Sequence, residues 1–232
     1  MRPFLIKICG LSTAETMVAA LDAGADMVGL VFHRKSPRSV SLEAAASLAG
    51  IARGRATIVA LSVDPSDEGL DAIMRHANPD LFQLHGSETP ERCSEVTVLT
   101  GRPVMKALGV AEPADLAALP LYVPHAAQFL LDAKPPKDAA YPGGQGKTFD
   151  WQVLKGIDPQ TPFLLSGGLT PENVGTAIAK VKSLGLALAG VDVSSGVESA
   201  PGVKDIAKIR DFVAAVRDAD VRHPPKRAIP TI

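Results

Sequence analysis

The chain has 232 residues, 46% of them hydrophobic, which fits one α/β barrel or two small domains and excludes a disordered protein. Its 24 basic and 25 acidic residues are well mixed and leave a net charge of −1, which argues against binding to nucleic acid or to an anionic membrane. The first apolar run is too short for a signal peptide, and no run reaches the roughly 20 apolar residues that span a bilayer. The two cysteines, Cys9 and Cys93, predict a reduced cytoplasmic protein, with a single disulfide as the alternative, and they lack the spacing of metal ligands.

Strand-like and helix-like segments alternate along the chain. Residues 4–9 are apolar and β-prone, and helical spacing follows from Thr13 to Gly24, between a capping residue and a glycine stop. Further helical patterns lie at residues 42–48, 66–77 and about 203–219. The patterns at residues 92–99 and 114–121 are weak, because the first is rich in β-branched residues and the second is interrupted by Pro120. Seven more strands are predicted at residues 26–32, 57–63, 81–85, 103–108, 128–133, 162–166 and 188–193.

This alternation predicts βαβ units and a parallel sheet. Eight such units in a chain of this length favour a single closed (β/α)₈ TIM barrel with parallel strands, comprising residues 1–220, followed by a flexible tail at 221–232. An open doubly wound sheet is the alternative. No G-x-G-x-x-G motif follows the first strand, which argues against a dinucleotide-binding domain.

Side chains alternate between the two faces of a strand, so the apolar positions indicate which residues point into the barrel. Ile6 and Ile8 are expected to face the helices, which turns Lys7 and Cys9 toward the barrel axis. Active sites of such barrels lie at the carboxyl ends of the strands, where Cys9 and Asp132 would share one mouth. The same pattern predicts that seven further side chains point inward: Gln83, His85, Val104, Lys106, Leu130, Asp192 and Ser194.

The thiol of Cys9 and the carboxyl of Asp132 are candidates for moving protons at this mouth. A nearby ammonium at Lys7 favours the thiolate, which is the form of cysteine that accepts a proton. Burial would hold Asp132 as an acid. The alternatives are a core cysteine, an aspartate that caps a helix or forms an ion pair, and a wall residue at His85. Cys93 lies in a helical segment and is interpreted as structural.

Three glycine-rich loops follow the last three strands, at residues 141–148, 166–173 and 194–198. Barrels often bind phosphate with the loops after strands seven and eight, where main-chain N–H groups approach the anion. Glycines that only form turns are the alternative for any one loop. The sixth loop is also long enough to close over a substrate. Arg38, which follows strand two, is a candidate for binding a carboxylate, with an ordinary surface arginine as the alternative.

Six motifs occur in order from the first strand to the eighth: Lys7–Gly10, Ser36–Arg38, Gln83–Gly86, Gly143–Trp151, Ser166–Asn173 and Gly190–Glu198. Together they resemble the phosphoribosylanthranilate isomerases of tryptophan biosynthesis, over about residues 4–215. The resemblance implies an Amadori rearrangement of N-(5-phosphoribosyl)anthranilate to 1-(2-carboxyphenylamino)-1-deoxyribulose 5-phosphate. This reaction would proceed by general acid–base catalysis without a cofactor.

The resemblance also implies roles for individual residues. Cys9 corresponds to the general base, Asp132 to the general acid and Arg38 to the residue that binds the substrate carboxylate. The expected phosphate ligands are Gly144, Gly146, Gly167, Gly168, Ser194, Ser195 and Gly196, and the expected supporting residues are Lys7, His85 and Asp192. Gln145 departs from the family pattern, where a small hydroxyl residue is expected, although its main chain can still donate. The expected partner is a small phosphosugar substrate, and the expected oligomeric state is a monomer or a homodimer.

Three other functions remain as hypotheses. A related isomerase of histidine biosynthesis acts on a substrate with two phosphates and tends to carry an aspartate where this chain has Cys9. A Schiff-base aldolase would use Lys7 or Lys106. A phosphate-binding module without catalytic activity would not need Cys9 and Asp132 at the strand ends.

Overall fold

In this computed structural model, which describes residues 4–134 and 148–222, eight parallel strands close into a barrel in chain order. Each strand pairs with the next, and the last pairs with the first. The predicted (β/α)₈ TIM barrel with parallel strands is therefore confirmed. The barrel strands are β1 (Leu5–Cys9), β2 (Met27–Val31), β3 (Thr57–Ser62), β4 (Leu81–Leu84), β5 (Val104–Val110), β6 (Gln128–Ala133), β7 (Phe163–Leu165) and β8 (Leu188–Val193).

Helices follow the strands and cover the outside of the barrel. Four of them begin at a Ser or Thr cap, because Thr13, Ser41, Ser66 and Thr89 each accept a hydrogen bond from the main-chain N–H three residues later. The first helix ends at Gly24, whose φ of 97° lies in the region that glycine favours. The helices are α1 (Ala14–Ala23), α2 (Leu42–Ala52), α3 (Asp67–Ala77), α4 (Pro90–Thr100), α5 (Leu119–Tyr122), α6 (Val174–Ser183) and α7 (Ile206–Arg222).

The two segments with weak helical patterns have different outcomes. The first forms the regular helix α4 despite its β-branched residues, because Thr89 caps it and its inner face is buried. Around Pro120, in contrast, only a 3₁₀ segment (Pro113–Ala118) and the single turn α5 form. A second 3₁₀ segment, Trp151–Gly156, lies between β6 and β7.

Two apolar layers show which way the strand residues face. Ile6 and Ile8 pack with the helices in the outer layer, as do Phe129 and Leu131 of β6. The predicted faces of β1 and β6 are therefore confirmed, with Cys9 and the acidic residue of β6 on the inner side. The barrel interior is filled by Met27, Val59, Leu81, Met105, Ala107, Leu130 and Leu164.

The predicted face of Lys106 is wrong. Lys106 and Val104 point outward, because Met105 and Ala107 occupy the inward positions of β5. The Lys106 ammonium is buried on the outer side of the strand, 2.6 Å from a carboxylate oxygen of Glu88. A buried counter-ion outside the barrel accounts for the orientation of this lysine.

The closing helix α7 begins later than residue 203, where the sequence pattern placed its start. The residues before it form an antiparallel hairpin of β9 (Glu198–Ala200) and β10 (Val203–Lys204), with Gly202 at a φ of 83°. The helix can start only after this hairpin, where the carboxylate of Asp205 caps the first turn.

α7 continues through Arg222, so it includes the first two residues that the sequence analysis assigned to the tail. The rest of that tail lies outside the described residues. Within residues 4–134 and 148–222, no helix combines the length and the apolar character needed to cross a membrane.

Candidate active site

A cavity that is open to solvent lies at the carboxyl end of the barrel strands. It brings together ten predicted site residues: Cys9, Arg38, His85, Asp132, Gly167, Gly168, Asp192, Ser194, Ser195 and Gly196. Lys7 does not line the cavity, but its ammonium binds Asp192. The predicted phosphate ligands Gly144 and Gly146 lie outside the described residues, as do Gln145 and most of the loop expected to close over a substrate.

The floor of the cavity contains an ion pair between neighbouring strands. Parallel pairing of β1 with β8 sets Lys7 beside Asp192, and Lys7 Nζ donates to Asp192 Oδ1 at 2.8 Å. The other carboxylate oxygen accepts a hydrogen bond from Ser166 Oγ at 3.0 Å. Burial lowers the pKa of the Lys7 ammonium, but Asp192 and Cys9 outweigh burial and raise that pKa above its ordinary value. Lys7 therefore stays charged.

The Cys9 thiol lies beside this charged floor and is 3% exposed. Gly29 on the neighbouring strand makes room for the sulfur, because a Cβ at position 29 would lie 2.7 Å from Sγ. Burial raises the pKa of the Cys9 thiol above its ordinary value, and the charge of Lys7 opposes that rise. Lys7 thus favours the thiolate as predicted, but the larger effect of burial keeps the thiol protonated in the free site at neutral pH.

Asp132 enters the cavity from β6 and contacts His85. Asp132 Oδ2 lies 3.4 Å from His85 Nε2, and Asp132 Oδ1 accepts a hydrogen bond from the N–H of Ala133 at 2.9 Å. On the other side of the ring, His85 Nδ1 lies 3.2 Å from Gln83 Nε2. Gln83 thus contacts the ring nitrogen that faces away from Asp132. His85 is therefore in contact with the predicted acid.

Gln83 is a cavity residue for which the sequence analysis assigned no role. Its side chain is 1% exposed and lines the cavity next to His85. Within the described part of the chain, its carbonyl Oε1 has no hydrogen-bond partner. A buried acceptor without a partner costs free energy, so Oε1 is suited to accept a hydrogen bond from a substrate hydroxyl. A polar residue at an inward position of an apolar strand was the signal that could have identified it.

A buried ion pair outside the barrel holds the loop that begins with His85. Lys106 Nζ donates to Glu88 Oε2 at 2.6 Å and to the carbonyl of Gly86 at 2.7 Å. Glu88 Oε1 accepts hydrogen bonds from the N–H groups of Gly86 and Asp64 at 3.1 Å and 2.8 Å. The pair therefore fixes the loop from behind the cavity wall.

We expect Lys106→Met to lower the free energy of unfolding by about 3–5 kcal/mol, because it leaves the Glu88 carboxylate buried without its counter-ion. Urea unfolding followed by circular dichroism measures this loss. The matched control is Arg75→Met, which breaks an exposed ion pair with Asp71 and is expected to cost less than about 1 kcal/mol. Equal losses in the two variants would contradict a structural role for the buried pair.

Arg38 is buried in the cavity wall, 5% exposed, so the alternative of a surface arginine is wrong. Its Nε donates to Glu198 Oε1 at 2.7 Å, and its Nη2 donates to Glu198 Oε2 at 2.8 Å. Glu198 also binds the ammonium of Lys204 at 2.8 Å. Roles for Glu198 and Lys204 could not be predicted from the sequence, because no spacing rule links positions 38, 198 and 204.

In the glycine-rich loops after β7 and β8, Gly167 and Gly196 pack against the main chain of neighbouring segments. Gly167 and Gly168 have φ values of 89° and 61°. A Cβ on Gly167 would overlap the main chain of Ala133, and a Cβ on Gly196 would overlap the carbonyl of Leu169. Packing therefore requires glycine at these positions, and only main-chain atoms reach the cavity there.

One wall of the cavity is apolar and lies next to Cys9. It is formed by Val31, Leu61 and Val63. Such a wall suits the flat face of an aromatic ring better than a second charged group. In the part of the chain that the structure describes, no group of three or more His, Cys, Asp or Glu side chains is placed to hold a metal ion.

A closed (β/α)₈ barrel with a thiol and a carboxyl in one mouth defines an enzyme of the TIM-barrel class. The family model described as PRAI, N-(5'phosphoribosyl)anthranilate (PRA) isomerase, matches residues 6–215, and the chain belongs to this family. The predictions of the family and of an isomerase of tryptophan biosynthesis are thereby confirmed.

Individual relatives agree with the family model. The N-(5'-phosphoribosyl)anthranilate isomerase of Azorhizobium caulinodans is 54% identical over 222 residues, which is 96% of this chain and 95% of that protein. The crystal structure of the Thermotoga maritima phosphoribosyl anthranilate isomerase has a TM-score of 0.81 at 33% identity and covers 93% of this chain and 100% of its own. A phosphoribosyl anthranilate isomerase in complex with reduced 1-(o-carboxyphenylamino)-1-deoxyribulose 5-phosphate has a TM-score of 0.78 at 32% identity, with the same coverage.

Proposed function

We propose that the cavity converts N-(5-phosphoribosyl)anthranilate to 1-(2-carboxyphenylamino)-1-deoxyribulose 5-phosphate, with Asp132 as the general acid and Cys9 as the general base. The observation that carries this proposal is the entry of both side chains into one cavity from β6 and β1, which are not neighbouring strands. A substrate between them can therefore meet an acid and a base at the same time. The ligand bound to the homologous crystal structure supports the same choice of substrate.

The substrate phosphate is proposed to bind the main chain of the loops after β7 and β8, with Gly144 and Gly146 as further ligands. The ligands on the described loops are Gly167, Gly168, Ser194, Ser195 and Gly196. The anthranilate ring then lies on the apolar wall, with its carboxylate at Arg38. These two anchors hold the ribose between the acid and the base, and such positioning supplies several kcal/mol toward the barrier.

The chemistry proceeds in three steps. Asp132 protonates the furanose ring oxygen while the lone pair of the anilino nitrogen breaks the C1–O bond and forms an iminium. The Cys9 thiolate then takes the proton from C2, and the electrons of that C–H bond neutralise the iminium to give an enolamine. The enolamine tautomerises to the ketone. One proton is donated to the substrate and one is taken from it, so the reaction is a net isomerisation. Each group that transfers a proton contributes a factor of roughly 10²–10⁴ to the rate.

The supporting residues act through the acid and the base. His85 contacts the carboxyl of Asp132, and Gln83 contacts the opposite side of the His85 ring. Lys7 supplies the positive charge that favours the Cys9 thiolate, and Asp192 holds Lys7 in place. These four residues are proposed as positioning residues, because the reacting atoms lie at Cys9 and Asp132.

The positions of Lys7 and Lys106 weigh against a Schiff-base aldolase. Lys106 faces away from the cavity, and Lys7 is fully buried below its floor in an ion pair. The apolar wall weighs against the histidine-pathway substrate, whose second phosphate would need polar ligands where Val31, Leu61 and Val63 lie.

We expect the pH profile of kcat/KM to report two groups, because only the Cys9 thiolate is a base and only the protonated Asp132 carboxyl is an acid. Lys7→Met removes the charge that opposes burial at Cys9, so the apparent pKa that Cys9 contributes to the profile should move to higher pH and kcat/KM at neutral pH should fall by about tenfold or more. Steady-state rates from about pH 6 to 10 measure the shift. As a control, Lys182→Met removes a lysine that pairs with Asp220 outside the cavity and should leave the profile in place. Identical profiles for Lys7→Met and the unchanged protein would contradict the electrostatic role of Lys7.

The proposed reaction is tested by adding the pure protein to N-(5-phosphoribosyl)anthranilate and following the loss of substrate fluorescence. Reduction with borohydride and mass spectrometry identify the product. We expect turnover with this substrate and none with the phosphoribosyl aminoimidazole of the histidine pathway. Tight binding of the reduced product without any turnover would instead indicate a binding module.

We also propose that the enzyme works in the cytoplasm as a monomer or a homodimer, with residues 1–220 as its catalytic domain. Cys9 and Cys93 are both free and buried, which supports a reducing compartment. Light scattering after size-exclusion chromatography distinguishes the two oligomeric states.

A further inference from the structure

Glu198 is a buried carboxylate that has no role in the mechanism above and binds two cations at once. Its Oε1 accepts hydrogen bonds from Arg38 Nε at 2.7 Å and from Lys204 Nζ at 2.8 Å. Its Oε2 accepts from Arg38 Nη2 at 2.8 Å and from the N–H of Gly202 at 3.2 Å. A charge this deeply buried is stable only with such complete pairing.

These contacts keep the Glu198 carboxylate ionised. Burial raises the pKa of the Glu198 carboxyl, but Arg38 and Lys204 outweigh burial and hold that pKa below its ordinary value. Burial lowers the pKa of the Lys204 ammonium, and Glu198 opposes that change. The Arg38 guanidinium is always protonated in proteins, so it still attracts an anionic group of a substrate.

The same contacts determine where the Arg38 guanidinium points. Glu198 holds its Nε–Nη2 edge in bidentate geometry. Gly10 makes room for the aliphatic part of the side chain, because a Cβ there would lie 2.7 Å from Arg38 Cδ. Gly202 packs on the turn that precedes Arg38, since its Cβ would lie 2.5 Å from the carbonyl oxygen of Pro37. An arginine that is already ordered loses less conformational entropy when a substrate binds.

Lys204 extends this network to the loop after β8. Its Nζ donates to the carbonyl of Ser194 at 2.8 Å, and Ser194 Oγ donates to the carbonyl of Cys9 at 3.2 Å. Glu198 therefore connects the arginine with the loop proposed to bind phosphate and with the strand that holds the base. One carboxylate thus links the two proposed anion sites of the cavity.

We infer that Glu198 is a positioning residue that sets the distance between the carboxylate site at Arg38 and the phosphate site at Ser194. It thereby makes the enzyme selective for a substrate that carries both anions at that separation. The inference rests on the proposed function, because it requires Arg38 to meet the substrate carboxylate. Glu198 itself acts through Arg38 and Lys204.

The test compares two substrates that differ by one carboxylate, N-(5-phosphoribosyl)anthranilate and N-(5-phosphoribosyl)aniline. The quantity measured is the preference, which is kcat/KM for the first substrate divided by kcat/KM for the second.

Arg38→Met should lower the preference by about 100-fold, since it removes a charge-assisted hydrogen bond. Glu198→Gln should lower it by about tenfold, mainly through KM for the anthranilate substrate, because it misaligns that bond. In the Arg38→Met protein, adding Glu198→Gln should lower the preference no further.

Each result separates the inference from the proposed function. If Glu198→Gln slows both substrates equally while Arg38→Met lowers the preference, Glu198 only supports the fold and the inference is overturned. If Arg38→Met leaves the preference unchanged, the carboxylate site itself is wrong and both proposals are overturned. Because Glu198→Gln leaves two buried cations without their anion, the variant Glu198→Gln/Lys204→Met provides a second measurement with the original net charge. It should show the same loss of preference.

Discussion

Replacing Cys9 by alanine is expected to lower kcat by about 10²–10⁴-fold or more, because it removes the proposed base for the C2 proton. Cys9→Ser should be equally inactive, since a serine hydroxyl is a far weaker acid than a thiol and yields even less of the ionised base. The barrel should persist in both variants, because the change removes or replaces a single buried atom at a cost of about 1 kcal/mol. Fluorescence assays of substrate loss measure the rate, and circular dichroism verifies the fold.

The second cysteine provides the matched control for this prediction. Cys93 is equally buried but lies on α4, in an outer cluster with residues of β3, β4, β5 and α3, away from the cavity. Cys93→Ala should therefore retain normal kcat, although it loses some stability. Near-normal turnover in both Cys9→Ala and Cys9→Ser would remove Cys9 as the base.

Asp132→Asn is the second replacement with a large expected effect, again about 10²–10⁴-fold in kcat. The amide has the shape of the carboxyl, and its oxygen can still accept the hydrogen bond from Ala133. It cannot donate an acidic proton to the furanose ring oxygen, so ring opening should become the slow step. The affinity for the reduced product should change far less than kcat, and isothermal titration calorimetry measures it.

The same chemical change on an exposed helix tests whether the loss is specific. Asp71 lies on α3 with 64% of its side chain exposed, and Asp71→Asn should leave kcat unchanged. An Asp132→Asn enzyme with the kcat of Asp71→Asn would exclude Asp132 as the acid. A loss of product affinity as large as the loss of kcat would assign Asp132 to substrate binding instead.

The faces of the barrel strands were predictable because they follow from a local property. Alternation of side chains turns Lys7 and Cys9 inward once Ile6 and Ile8 are assigned to the helix layer. The rule failed at Lys106, because a strand that is apolar on both faces does not mark its inner side. The orientation of Lys106 depends instead on Glu88, which lies in the loop after β4 and pairs with the ammonium on the outer side of the barrel.

The groups that are candidates for proton transfer could also be predicted from the sequence, but the shifts of their pKa values could not. A thiol, a carboxyl and a lysine at strand ends predict proton transfer whatever the exact packing. The pKa of the Cys9 thiol depends on burial, which raises it, and on the charge of Lys7, which lowers it. The relative size of these two effects depends on how completely water is excluded, which cannot be read from the spacing of residues in the sequence. The sequence therefore predicts the direction of the Lys7 effect on the Cys9 pKa but not its size relative to burial.

By itself the sequence determined the order of the strands, the family and the candidate residues for moving protons, because these are properties of short segments and motifs. The tertiary structure alone decided which charges are neighbours. Arg38, Glu198 and Lys204 meet only because the hairpin of β9 and β10 folds back on the turn after β2. Contacts of this kind depend on the free energy of burying and pairing charges, which is defined only when the whole barrel has closed.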